Sequence, residues 1–261
     1  MSNSPLAHPR MPKLGLHVFG AAAIIFGVSG LIWGDFATNW QPVRSVPYHT
    51  ALSYIANLCL LSAGIAVQWR RSMRAGLLVL AFFYLIFAGF WAPRVILLPR
   101  IAGTWSGFAE QFCLVVAAMM VYVTLAAPNA RWTETALRAL RVLFGLCAIS
   151  FGVVHFEALK QTADMVPSWL PPNQRFWAGA TGVAHLVAGI AIVTGIRAIL
   201  AARLLTAMFV VFGLLIWLPR FFAQPLAHNV WGGNAMNLAA AGAAWIVADT
   251  LSGLNERGGI R

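Results

Sequence analysis

Long apolar runs alternate with short polar connectors along the chain. Eight runs approach the roughly 20 residues that a helix needs to cross the hydrocarbon of a bilayer. They are Leu14–Trp33, Ala51–Trp69, Ala75–Leu98, Gly107–Ala127, Ala139–Phe156, Phe176–Ile196, Leu204–Phe222 and Asn234–Leu251. Apolar residues within each run are continuous rather than alternating, which selects helices over the strands of a barrel. Helices and closed barrels are the structures that satisfy the backbone in lipid. The pattern predicts an all-α integral membrane protein with eight transmembrane helices. The first run follows Arg10 and Lys13 as a signal peptide would, but it is too long for one and no small-residue cleavage site follows, so it is expected to be retained.

Composition agrees. Hydrophobic residues make up 60% of the 261 and charged residues 10%, with a mean hydropathy of +0.77. That excludes a soluble enzyme, a disordered chain and a fibrous protein, because so much apolar surface has no single interior to enter. The net charge of +11 would suggest nucleic acid in a soluble chain. Here its distribution points to topology: twelve of the 18 lysines and arginines fall on one side of the predicted spans. By the positive-inside rule both termini are expected in the cytoplasm, with the lipid bilayer as partner and no nucleic acid. The opposite connectors hold most of the tryptophans, among them Trp33, Trp40, Trp91, Trp105, Trp217 and Trp231. Any chemistry is expected on that side.

Sliding the chain by 125 residues matches it to itself. Phe26-Gly27-Val28 meets Phe151-Gly152-Val153, Pro42 and Pro47 meet Pro167 and Pro172, and Ala63-Gly64-Ile65 meets Ala188-Gly189-Ile190. After one inserted residue the shift becomes 126, and Trp91, Pro93, Arg94, Pro99, Trp105 and Gly107 meet Trp217, Pro219, Arg220, Pro225, Trp231 and Gly233. Each half holds four runs, an even number, so the halves insert with the same polarity as parallel repeats. The expected units are residues 14–127 and 139–251, joined by a polar hinge, Pro128–Arg138. Pro93 and Pro219 are expected to stop their helices. Arg94 and Arg220 then either snorkel to the interface as anchors or hydrogen-bond a ligand carbonyl or anion.

The halves differ in their polar residues. His155 falls opposite Gly30, His185 opposite Leu60, His228 opposite Ala102 and Glu110 opposite Met236. A site would therefore be single and asymmetric. Ionisable residues in a span are functional candidates because burying them is costly. His185, about 15 Å into its helix at 1.5 Å per residue, is either bonded to a neighbouring helix or a ligand or proton-transfer group. His155 and Glu157 close the fifth run at the far interface. Glu110 begins the fourth, as a helix N-terminal carboxylate, a partner of Arg94 or Arg220, or a proton acceptor. Asp35, His49 and His228 share the outer layer, and Asp249 is expected to be interfacial. His155 and His185 fall at different depths, which argues against paired haem ligands. No converging metal ligands can be named, and Cys59, Cys113 and Cys147 are separated singletons without a redox or zinc spacing.

From Phe151-Gly152-Val153-Val154-His155-Phe156 through Val166-Pro167-Ser168-Trp169-Leu170-Pro171-Pro172 to Thr181-Gly182-Val183-Ala184-His185, and again at Ala244-Trp245-Ile246-Val247-Ala248-Asp249, the second half resembles the DoxX family of bacterial membrane proteins. The first half joins it only through the duplication. The resemblance implies a four-helix membrane unit, here doubled, and for some relatives quinone-linked oxidation of sulfur compounds or a thiol-redox complex. Without a cysteine pair, direct thiol chemistry is not expected. Three readings remain. The first is a redox accessory that binds a quinone or similar lipophilic head group near His155, Glu110 and Arg220, beside a membrane or periplasmic redox partner. The second is a solute or lipid transporter pivoting on His185, and the third a non-catalytic scaffold whose polar side chains point apart.

Overall fold

The computed structural model describes residues 14–36, 43, 46–128 and 130–256. Arg10, Lys13, Trp40, Pro42, Arg44, Arg257 and Arg261 lie outside the described residues. Among the described residues ten α-helices follow in chain order: α1 Leu14–Trp33, α2 His49–Ala66, α3 Met73–Leu97, α4 Ala102–Ala126, α5 Arg131–Glu157, α6 Leu159–Met165, α7 Gln174–Thr194, α8 Ala198–Phe212, α9 Leu218–Ala223 and α10 His228–Glu256. A π-helical turn, Gly213–Trp217, joins α8 to α9 into one rod. Seven of these helices, the α8–α9 rod counted as one, are long and apolar enough to cross a bilayer. The described chain is all-helical, with the make-up of a multi-pass membrane protein.

Helix ends reach beyond the apolar runs, because a helix continues into water where lipid does not. α4 begins at Ala102 rather than Gly107, and α5 at Arg131 rather than Ala139. The predicted hinge Pro128–Arg138 shrinks accordingly to the few residues before Arg131. Neither proline stops its helix. Pro93 lies inside α3, which runs on to Leu97. Pro219 is the second residue of α9, which follows the π turn directly, and that turn has already displaced the carbonyls that a proline leaves unbonded.

Packing neighbours recur between the halves. α1 packs on α2 as α5 packs on α7, α2 on α3 as α7 on α8, and α3 on α4 as α8 on α10. The fourth helix of each half then packs on the first helix of the other, α4 on α5 and α10 on α1. The two halves thus follow one another around a single ring of contacts, with α4 touching α10 across it.

Glycine sets the closest crossings. A Cβ on Gly64 would come within 2.8 Å of the Gly20 carbonyl oxygen, and one on Gly189 within 2.8 Å of the Gly145 carbonyl oxygen. Two backbones meet at each point, in the manner of small-residue interfaces in membranes. Gly189→Ala is expected to destabilise the bundle by about 1–3 kcal/mol, read as a lower unfolding temperature in detergent.

The repeated tryptophan–proline–arginine string is a set of internal staples. Arg94 lies over the Trp91 ring at 5.5 Å and Arg220 over Trp217 at 5.6 Å. Trp105 Nε1 donates to the Pro99 carbonyl at 2.9 Å, and Trp231 Nε1 to the Pro225 carbonyl at 2.8 Å. Gly107 and Gly233 leave room for the rings of Trp91 and Trp217. Apart from Pro93 and Pro219, each member of the string has a structural partner in both halves.

Candidate functional site

The crossing of α5 and α7 is where the halves diverge. In the first half Gly30 packs against the Asn57 side chain; in the second, Gly182 packs against His155, whose Cβ would lie 2.9 Å from an added Cβ. Under the 125-residue shift Gly30 is the counterpart of His155 and Asn57 that of Gly182. Small and polar residues have changed sides across one contact, and this places an imidazole where the first half has none.

His155 and His185 then meet, with ring centroids 4.9 Å apart. The expectation that depth separates them is overturned. The first turns of α7 rise past the end of α5, so counting from the start of α7 exaggerates the depth of His185. The two rings touch directly, which leaves no space between them for a haem macrocycle. His155 Nδ1 is 2.7 Å from the Phe151 carbonyl oxygen and His185 Nδ1 is 3.0 Å from that of Thr181. A carbonyl only accepts, so in the neutral ring each Nδ1 carries the hydrogen and each Nε2 presents a lone pair. His185 is 2% exposed and packs edge-on against Phe151 and Phe209. Its Nε2 is buried with no hydrogen-bond partner.

Both histidines border a cavity of about 650 Å³, a size that suits a small-molecule head group. Glu110 and Cys113 of α4, Phe212 and Trp217 of the α8–α9 rod and Asn237 of α10 share its wall. Val166, Pro167 and Leu170, in the connector after α6, also line it. That connector is tied down at two points: Gln174 Nε2 donates to the Val166 carbonyl at 2.5 Å, and Trp177 Nε1 to the Pro171 carbonyl at 2.8 Å.

The π turn supplies another side. α3 has 25 residues from Met73 to Leu97, and its counterpart from Ala198 to Ala223 has 26. The residue that changes the repeat shift from 125 to 126 is absorbed in this turn. Such turns are one-residue insertions and are frequent at functional sites. α10 supports the altered backbone, with Asn237 Nδ2 donating to the Phe209 carbonyl at 2.9 Å and Asn234 Nδ2 to the Trp217 carbonyl at 3.0 Å.

Among the candidate site residues, Glu110, His155 and His185 line this cavity. Glu110 does not begin its helix; α4 starts two turns earlier. The carboxylate at that N-terminus is Glu157, whose Oε2 accepts from the Ala102 amide at 2.5 Å. Glu157→Ala is expected to cost about 1 kcal/mol of stability and to leave cavity occupancy unchanged, as a thermal melt and a binding titration on one preparation would show. Arg94 and Arg220 lie outside the cavity lining, over their tryptophans. His228 stacks on Trp33 at 5.1 Å with 15° between planes, and Asp35 and His49 pair at 3.2 Å. Phe209, Phe212 and Asn237 are not among the sequence candidates, and Trp217 stands there only as an interfacial tryptophan of the repeated string. Their signals were the change of shift and two asparagines three residues apart in an apolar run.

Residues 143–214 match the profile of a protein family described as "Domain of unknown function (DUF8561)". No curated protein and no solved structure matches the chain. The matched stretch runs from α5 into the π turn, and so contains both histidines, the tethered connector and the phenylalanines around His185.

Proposed function

We propose that the chain is a DoxX-like protein of the bacterial inner membrane that binds a lipophilic molecule with a hydroxyl-bearing ring, of the quinol type, in the second-half cavity. One observation carries this reading: the buried, unpartnered Nε2 of His185 beside a cavity with largely apolar walls. An unbonded buried acceptor costs free energy that a ligand donor would recover. With Nδ1 committed to Thr181, His185 accepts, so it suits a phenolic O–H and not a quinone carbonyl. His155 and Glu110 border the same space as candidate proton acceptors. The redox partner would supply the oxidant.

Eight spans with both termini cytoplasmic complete the reading. α10 is the eighth, about 43 Å long at 1.5 Å per residue. Its lower hydropathy follows from its place among α1, α4 and α8, where alanine and glycine replace the leucines that face lipid. The Lys/Arg asymmetry supports the orientation. A transporter would need a polar path onward from His185. Along α5, α7 and α8 the next residues toward the basic end include Phe144, Ile192 and Leu205, all buried and apolar. A scaffold would have its polar side chains pointing apart, whereas Glu110, His155 and His185 share one cavity.

The test is mass spectrometry of small molecules that co-purify in mild detergent, followed by titration with a short-tailed quinol and its oxidised form. Binding of the quinol at least about tenfold tighter than the quinone, the worth of one hydrogen bond to a buried group, is expected. No binding, or equal binding of both forms, would overturn the reading.

A further inference from the structure

A second cavity, of about 430 Å³, lies at the opposite end of the α5–α7–α8 cluster, around the corner between α7 and α8. Arg141 of α5, Arg197 of the corner and Arg203 of α8 line it together, with Leu200, Leu251 and Asn255. Three cations in one hollow repel each other unless something answers them. Among the described residues, neither Arg141 nor Arg197 forms a salt bridge. Arg141 Nε is buried without a hydrogen-bond partner. Arg203 reaches only Ser252 Oγ, at 3.5 Å, with Asp249 near enough to act on it electrostatically. The neighbouring Arg138 is already paired with Glu134.

The corner is built to hold this arrangement. Gly195 ends α7 at φ 84°, and a Cβ there would overlap the Arg141 guanidinium. Arg197 sits at φ 56°, a region that non-glycine residues seldom occupy and that recurs where local strain serves a site. The first-half counterparts of Arg141, Arg197 and Arg203 are Leu16, Ser72 and Leu78, so the scaffold does not require these cations. Ile196, Leu200 and Leu204 are exposed beside the cavity and offer acyl chains a surface.

We propose that this cavity binds a phosphate group, carried by an anionic phospholipid whose chains lie along that exposed face of α8. Basic pockets between spans recognise anionic head groups in this way. The delipidated full-length protein is titrated in detergent with dioleoylphosphatidylglycerol, dioleoylphosphatidylcholine and inorganic phosphate, read by native mass spectrometry and thermal shift. The anionic lipid is expected to bind and stabilise. Arg141→Gln with Arg203→Gln is expected to weaken it by roughly tenfold or more, while Arg131→Gln, on the same end but outside the cavity, leaves it unchanged. Arg141→Lys with Arg203→Lys, which keeps the charge and the fold, restores most of the binding. An arginine-dependent shift with inorganic phosphate of the same size supports the phosphate site and overturns the lipid as its source. Equal retention of the two lipids, or no effect of the glutamine pair in a folded protein, overturns the proposal.

Discussion

Replacing His185 with leucine should stabilise the empty protein while abolishing ligand retention. In the repeat, Leu60 occupies the equivalent position with no exposed surface, so the scaffold accepts leucine there. The substitution removes a buried acceptor without a partner, which costs about 1–3 kcal/mol when left unmet. The bond from Nδ1 to the Thr181 carbonyl is lost at little cost, since that carbonyl also serves the helix backbone. Melting in detergent should rise by a few degrees, while quinol affinity falls by roughly tenfold to a hundredfold. Glutamine at the same position keeps an acceptor and should recover part of the binding. A lower melting temperature with ligand retained would make His185 a structural residue and remove the basis of the proposed function.

Helix positions were readable wherever lipid dictates composition. α1 ends with the first apolar run at Trp33, because a span must be apolar along its length. Polar helix ends were not readable by that criterion. Of the expected hinge Pro128–Arg138, residues 131–138 instead extend α5 into the polar layer. The same blind spot misplaced Glu110 as a helix start and hid the capping by Glu157, which joins residues 55 positions apart. The asymmetry of the site was readable, since the duplication shows which positions changed. His155 and His185 stood out against Gly30 and Leu60 for that reason. Their meeting did not, because it depends on how far α7 rises beyond α5. Arg94 and Arg220 were drawn toward a ligand by their charge, whereas each has an aromatic ring one helical turn away that occupies its guanidinium.

Deleting Leu214 should close the cavity without unfolding the bundle. Its side chain is exposed and absent from the cavity lining, so its removal takes no wall away directly. What it removes is the extra residue of the π turn. The rod from Ala198 would then hold 25 residues, as α3 does from Met73 to Leu97, and the 125-residue shift would run unbroken into Trp217, Pro219 and Arg220. The first half shows that this sequence pattern folds as a continuous α-helix with its tryptophan seated on a glycine. Straightening the turn rotates the residues that follow by about 100°, one residue of a 3.6-residue turn, relative to Phe209 and Phe212. It also withdraws the Trp217 carbonyl from Asn234. The helical circular dichroism signal should stay near that of the parent, whereas quinol binding should drop at least as far as in His185→Leu. Binding that survives the deletion would mean that the turn is incidental and that the two histidines alone define the site.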